Sequence, residues 1–118
     1  MQRLLAAGIG HPSQYTVVPP GIRLGRLPDR ATARLSLGFH IDADVVLYVG
    51  RLTRVTRPDR LLEVARLVHA ARPRAVLAVA GDGDLADRLR ADAAPLGAAV
   101  RFLGWRDDLE DLYAAADV

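Results

Sequence analysis

The 118-residue chain has no cysteine and no lysine, and only Glu63 and Glu110 among its 14 acidic residues are glutamates. Without cysteine there are neither disulfides nor thiolate metal sites. Without lysine every basic charge is a guanidinium that keeps its proton. That lifts the pI to about 9.7 although the formal charge is only +2. So small an excess excludes nucleic-acid binding by bulk electrostatics. No apolar run reaches the roughly 18 residues of a membrane helix, so no transmembrane segment is expected. Met1–Gly8 is too short and weak for a secretory signal, and the expected compartment is the cytoplasm. His11, His40 and His69 lie in unrelated contexts, with no metal-site spacing. Ser13 and Ser36 have no nucleophile-elbow setting, and no general acid–base pair is visible. Catalytic residues are therefore unassigned, and neither metal nor cofactor is expected.

What is present is an α/β pattern. Half of the residues (51%) are hydrophobic, which favours a globular fold. Val45–Val49, Ala75–Ala80 and Ala99–Leu103 are continuous apolar runs, as expected of strands buried on both faces. Each leads through a turn into a helical stretch. The first helix carries Leu61, Val64, Ala65, Val68 and Ala71 as one stripe and is predicted to start near Arg57. The second, Asp84–Ala94, has Leu85 and Leu89 on one face and is closed by Gly97. The third, Asp107–Val118, has Leu109, Leu112, Tyr113 and Ala116 on one face, with Asp107 as N-cap. Upstream, Met1–Ala7 reads as the tail of a helix and Gln14–Val18 as a short strand. Pro19-Pro20-Gly21 reads as a turn, Ile22–Asp29 as irregular, and Arg30–Leu37 as a helix stopped at Gly38. Three strand–helix units in this order call for right-handed crossovers, a parallel sheet and helices on its faces.

Such a sheet gathers its strand-to-helix turns at one carboxyl edge, where open α/β sheets bind ligands. The first turn, Gly50–Asp59, holds Arg51, Arg54 and Arg57. Thr56, three residues before Asp59, with Pro58 between, resembles a capping box. One reading is a phosphate at the helix N-terminus, with Arg51 forking onto it and Arg54 and Arg57 assisting. The other is solvated arginines and a simple cap. Gly81-Asp82-Gly83 also has two readings. Either its glycines let a ligand approach the backbone, or they make a tight turn. It lacks the third glycine of the dinucleotide fingerprint. In Gly104-Trp105-Arg106, Trp105 either lines a nucleotide pocket or packs on a neighbouring element that this chain lacks.

Five segments together resemble a known family. They are Val17-Val18-Pro19-Pro20-Gly21-Ile22, Val45–Leu52, Val79–Gly83 with Leu85, Arg101-Phe102-Leu103-Gly104, and Leu112–Val118. In this order and spacing they resemble the C-terminal domain of group 1 (family 4-like) glycosyltransferases. The resemblance covers nearly the whole chain. It implies a GT-B architecture of two Rossmann-like domains, with metal-independent and usually retaining sugar transfer in the cleft between them. The implied partner is a nucleotide-sugar donor, with the acceptor held by an N-terminal domain outside this chain. By resemblance the donor diphosphate falls to Arg51, with Gly50, Thr56 and Arg57 around it. The nucleotide falls to Gly81, Gly83, Gly104, Trp105 and Arg106. The family usually has a lysine where Thr56 stands and a glycine where Arg57 stands, so Arg54 or Arg57 is the candidate replacement for the lysine charge. The family's downstream pair of glutamates is absent.

The division expected is a linker over residues 1–21 and part of the nucleotide-sugar domain over 22–118. A last helix running to Val118 without a cap signal, and a sheet with bare apolar edges, lead to reading the chain as truncated or as a piece of a larger one. The resemblance, with its second domain outside this chain, implies that it is inactive alone. Two other functions remain open: a non-catalytic nucleotide- or phosphate-binding module or remnant, and a related enzyme such as a sugar-nucleotide epimerase.

Overall fold

Strands rich in valine, leucine and alanine on both faces need cover on both sides, and the chain supplies it. The computed structural model describes residues 2–19, 21 and 25–118. Its sheet holds β1 (Asp44–Val49), β2 (Ala75–Ala80) and β3 (Val100–Gly104), parallel and in the order β1-β2-β3. Val45 is opposite Val76 and Leu77 opposite Val100, with an irregularity at Val79/Ala80 that moves Gly104 beside Ala80. The helices are α1 (Gln2–Ala6), α2 (Arg30–Ser36), α3 (Asp59–Ala71), α4 (Ala86–Ala93) and α5 (Leu109–Ala115).

Side chains alternate across the pleat, so the core is double. Val45, Ala78 and Ala80 pack with Ala33 and Leu37 of the α2 region and Leu112 and Ala115 of α5. Leu77, Val79 and Val100 pack on the other face with Leu62 and Ala65 of α3 and Ala86, Leu89 and Ala93 of α4. This is the expected doubly covered α/β sheet.

Helix α2 shows how local signals set the boundaries. The Asp29 carboxylate accepts the Thr32 N–H at 3.2 Å, an N-cap bond. At the other end Gly38 has φ +68, its N–H meets Leu35 O at 3.1 Å, and the Phe39 N–H reaches Arg34 O at 2.8 Å. That is a Schellman ending, for which a left-handed glycine is suited. Arg101 of β3 then donates to Leu37 O and Gly38 O while lying 4.5 Å over the Phe39 ring.

Several expectations are corrected. Gln14–Val18 is no strand: a 3₁₀ turn covers Pro12–Gln14, and Val17 and Val18 are exposed, because β-propensity without a pairing partner makes no ladder. Pro20 and residues 22–24 lie outside the described residues. On α3 the fully buried positions are Leu62 and Ala65. Of the expected stripe Leu61 and Val68 are half-buried, Val64 is partly exposed although it borders the gap between helix and sheet, and Ala71 is exposed. Helix α3 begins at Asp59, two residues later than expected, because Arg57 takes a left-handed conformation (φ +49). Helix α4 gives way at Ala94 to a 3₁₀ segment kinked at Gly97.

The last helix stops at Ala115, and Ala116 is extended. The Val118 N–H then donates to Val45 O and the Leu47 N–H to Val118 O, so the segment runs along the outer edge of β1 in parallel sense. Asp117 fixes it there: its carboxylate accepts from the Val45 N–H (2.8 Å), Arg34 (2.7 Å) and Arg30 (2.7 Å). Tyr113 is exposed, the buried positions of α5 being Leu112, Ala114 and Ala115.

Candidate functional site

The parallel sheet brings the three strand-to-helix turns together, and backbone bonds lace them. Gly50 N–H donates to Ala80 O (3.0 Å), Gly81 N–H to Gly104 O (2.7 Å) and Leu52 N–H to Asp82 O (2.9 Å). Leu85 N–H returns to Leu52 O at 3.0 Å, and the Leu52 side chain is fully buried beneath them. The two glycines of Gly81-Asp82-Gly83 serve this lacing. A Cβ on Gly81 would lie 1.9 Å from Gly50 O, and one on Gly83 would lie 2.4 Å from Leu52 O. The close backbone approach expected there is therefore to the neighbouring turn of the same chain.

Two adjoining hollows open at this edge. A cleft of about 290 Å³ is lined by Gly50, Arg51, Gly81, Asp82, Trp105, Arg106 and Leu109, with Val49 and Ala80. A shallower hollow of about 640 Å³ is lined by Arg51, Thr53, Arg54, Val55, Thr56, Gly83 and Asp84. Arg51 belongs to both. Of the sequence-predicted residues, Gly50, Arg51, Gly81, Trp105 and Arg106 meet in the first, and Thr56 and Gly83 join Arg51 in the second. Gly104 lies beneath them at the end of β3, its carbonyl bonded to Gly81. Arg57 lies apart, in a third hollow with Arg54, Asp59, Leu85, Arg88, Leu89 and Asp92.

The side chains are in different states. Trp105 is 73% exposed, which fits both a pocket wall and a residue covered by an element that this chain lacks. Arg106 is tied back to Asp108 through Nε–Oδ1 (2.8 Å) and a second, shorter contact from Nη2. That hydrogen bond raises the Arg106 pKa and lowers that of Asp108. Arg57 is held likewise, its Nε and Nη2 donating to the Asp59 carboxylate at 3.0 and 2.8 Å. The same pair raises the Arg57 pKa and lowers that of Asp59.

Thr56 does not cap α3. Its hydroxyl faces the carbonyls of Arg51 and Thr53 and accepts from the Thr53 N–H, closing a 3₁₀ turn over Arg54–Thr56. The first amides of α3 are also engaged: Arg60 N–H donates to Arg57 O and Leu61 N–H to Pro58 O. Asp107 is not the N-cap of α5 either, the position falling to Asp108. Arg51 and Arg54 donate no side-chain hydrogen bond and form no ion pair among the described residues, and both are exposed. In the same set no three His, Asp or Glu side chains come together as metal ligands, and no helix is long and apolar enough to cross a membrane.

The residues that sequence reasoning missed are the acids. Asp59 and Asp108 each sit two positions after the arginine they hold, a spacing visible in the sequence. Asp82 and Asp84 line the hollows beside Arg51.

Comparison with known proteins gives the family and the fold. The family model described as glycosyl transferases group 1 matches residues 29–118. A D-inositol 3-phosphate glycosyltransferase of Thermobispora bispora is 40% identical over 91% of this chain and 28% of its own length. One of Mycobacterium avium is 35% identical over 99% of this chain and 29% of its own length. Among solved structures, WaaG, a glycosyltransferase involved in lipopolysaccharide biosynthesis, superposes with a TM-score of 0.72. It is 28% identical, over 92% of this chain and 31% of WaaG. The chain thus spans less than a third of the length of these relatives. A family match over residues 29–118, on a doubly covered parallel sheet whose arginine-bearing turns meet at one edge, shows that this chain belongs to the group 1 glycosyltransferases.

Proposed function

We propose that this chain forms the donor-binding wall of a glycosyltransferase that moves a sugar from a nucleotide-activated donor to an acceptor held by another domain, with retention of configuration. The reading is carried by one observation: Arg51, exposed and without a side-chain partner among the described residues, lies where the cleft containing Trp105 meets the hollow containing Gly83. A nucleoside diphosphate has that shape, with a flat aromatic base whose face can stack at one end and a charged diphosphate next to it. Sugar transfer develops positive charge at the anomeric carbon and negative charge on the departing diphosphate. Guanidinium groups fixed beside the diphosphate lower the barrier by meeting that charge. Donor and acceptor must also be held in line, which takes two walls of a cleft. The 118-residue chain supplies one, and by itself is expected to bind donor without turning it over. The inositol phosphate named for the curated relatives and the lipopolysaccharide context of WaaG differ from each other, so no acceptor is carried over.

Titrating nucleoside diphosphates of several bases into the isotope-labelled chain tests the reading. Saturable shifts of the Arg51, Gly83 and Trp105 amides at or below millimolar ligand support it, and silence from every base sinks it. Turnover of a nucleotide sugar by this chain alone would overturn the division of labour.

A further inference from the structure

We infer that Arg54 supplies the second positive charge on the donor diphosphate, and that Arg57, the other replacement for the lysine missing at Thr56, does not. The inference rests on the donor-site reading above and deepens it. Arg57 and Asp59 form a two-pronged pair of zero net charge, and both line the hollow beside α4, apart from Arg51. To reach a diphosphate, Arg57 would have to give up both bonds and leave Asp59 unpaired. Arg54 has no such tie among the described residues. It stands between the two hollows, lining that of Arg57 and also the one it shares with Arg51, Thr53 and Gly83, which Arg57 does not reach.

Thr56 makes this arrangement rigid. Its hydroxyl lies against the carbonyls of both Arg51 and Thr53, and its N–H donates to Thr53 O at 3.1 Å. One side chain thereby ties the backbone of Arg51 to the turn that begins at Arg54. Where the resemblance implies a lysine, this chain has a backbone staple, and its untied guanidinium stands two residues upstream. A guanidinium in place of an ammonium changes the contact as well as its origin. Its planar fork engages two phosphate oxygens at once, whereas lysine offers a compact point charge. Two forks from one turn fit a diphosphate, with one guanidinium for each phosphate. In this hollow the two guanidiniums face one acid, Asp84, while Asp82 lines the adjoining cleft.

Inorganic pyrophosphate is the probe, because it carries the diphosphate without the base. Its affinity is measured by calorimetry on the 118-residue chain and on R51Q, R54Q, R54K and R57Q, with a thermal melt of each to confirm folding. R54Q is expected to weaken pyrophosphate about tenfold, the loss of one charge-assisted contact at an exposed site. R54K is expected to recover part of that loss, and R57Q to stay within about twofold of wild type, because Arg57 makes no contact with the diphosphate and the Asp59 charge that it uncovers is exposed and screened. If R57Q loses as much as R54Q, or R54Q binds like wild type while R51Q does not, the Arg54 assignment is overturned and the donor site stands. If wild type itself fails to bind pyrophosphate and nucleoside diphosphates, the donor-site reading falls and takes the inference with it.

Discussion

The carbonyl oxygen of Gly50 occupies the space where a side chain at position 81 would begin: a Cβ on Gly81 would sit 1.9 Å from it. Gly81 also has φ +143, a region open to glycine alone. Backbone cannot yield as a flexible side chain does, so Gly81→Ala must part the first two turns or strain both. The expected cost is on the order of 3–4 kcal/mol, overpacking plus a forbidden backbone region. Gly104 provides the control, since its φ is +71 but nothing lies within 4 Å of its Cβ position. Gly104→Ala should cost only about 1–2 kcal/mol. Urea unfolding of the two variants checks the order, and equal losses would show that conformation rather than the approach to Gly50 sets the cost.

This relationship marks where sequence reading stopped. The strands were legible because runs such as Ala75–Ala80 are continuous, apolar and of strand length, and end at a glycine. The carboxyl-edge site was legible because parallel topology leaves the turns no other place. Which partner each turn residue takes was not. Gly81 and Gly83 carry the same signal whether a ligand or a neighbouring turn comes close. Arg57 looks like Arg54 until its left-handed backbone and its bonds to Asp59 are known. The extended segment after Ala115 was missed because alanine-rich sequence favours helix, whereas pairing with β1 and the ion pairs of Asp117 decide otherwise.

Asp117 should make the fold sensitive to acid. Its partial burial disfavours the charged form, but the Val45 N–H and the charges of Arg34 and Arg30 outweigh that and lower its pKa. A carboxylate with a lowered folded-state pKa adds stability that is complete above the unfolded value, about 3.9, and is lost as pH falls from there through the folded value. Wild type should therefore lose stability below about pH 4, and Asp117→Asn should lose less over the same window. At neutral pH Asp117→Ala should cost about 2–3 kcal/mol, less than a fully buried pair because Asp117 is partly exposed. Arg34, at 5% exposure, would keep only its bonds to the carbonyls of Ala115 and Ile41. Thermal melts from pH 3 to pH 7 read both effects, and parallel curves for wild type and Asp117→Asn would remove Asp117 from the acid response.

Trp105 separates stability from binding. It is the only tryptophan and is 73% exposed, so Trp105→Ala should change unfolding free energy by no more than about 0.5 kcal/mol. It also lines the cleft beside Arg51, where a base can stack on it. Loss of one base–aromatic contact should weaken a nucleoside diphosphate about tenfold, while pyrophosphate affinity stays unchanged. The intrinsic fluorescence of wild type reports the contact directly and should change on adding the nucleotide but not pyrophosphate. Equal loss of both ligands in Trp105→Ala would mean that the residue shapes the turn and does not touch the base.

Asp84 opposes the ligand that Arg51 and Arg54 attract. It is exposed and lines their hollow, so an arriving diphosphate meets a like charge there. At a separation near 8 Å in water, one such charge is worth about 0.5 kcal/mol, and Asp84→Asn should tighten pyrophosphate about twofold at low salt. The gain comes from a screened charge, so it should vanish as salt approaches about 1 M, where the Debye length is near 3 Å. R54Q should behave in the opposite sense under the same salt series: a loss of affinity that shrinks with salt but persists, because hydrogen bonds to phosphate oxygens are screened less than a bare charge. A gain in Asp84→Asn that is insensitive to salt would point to a rearranged turn, since only the electrostatic effect carries that salt dependence.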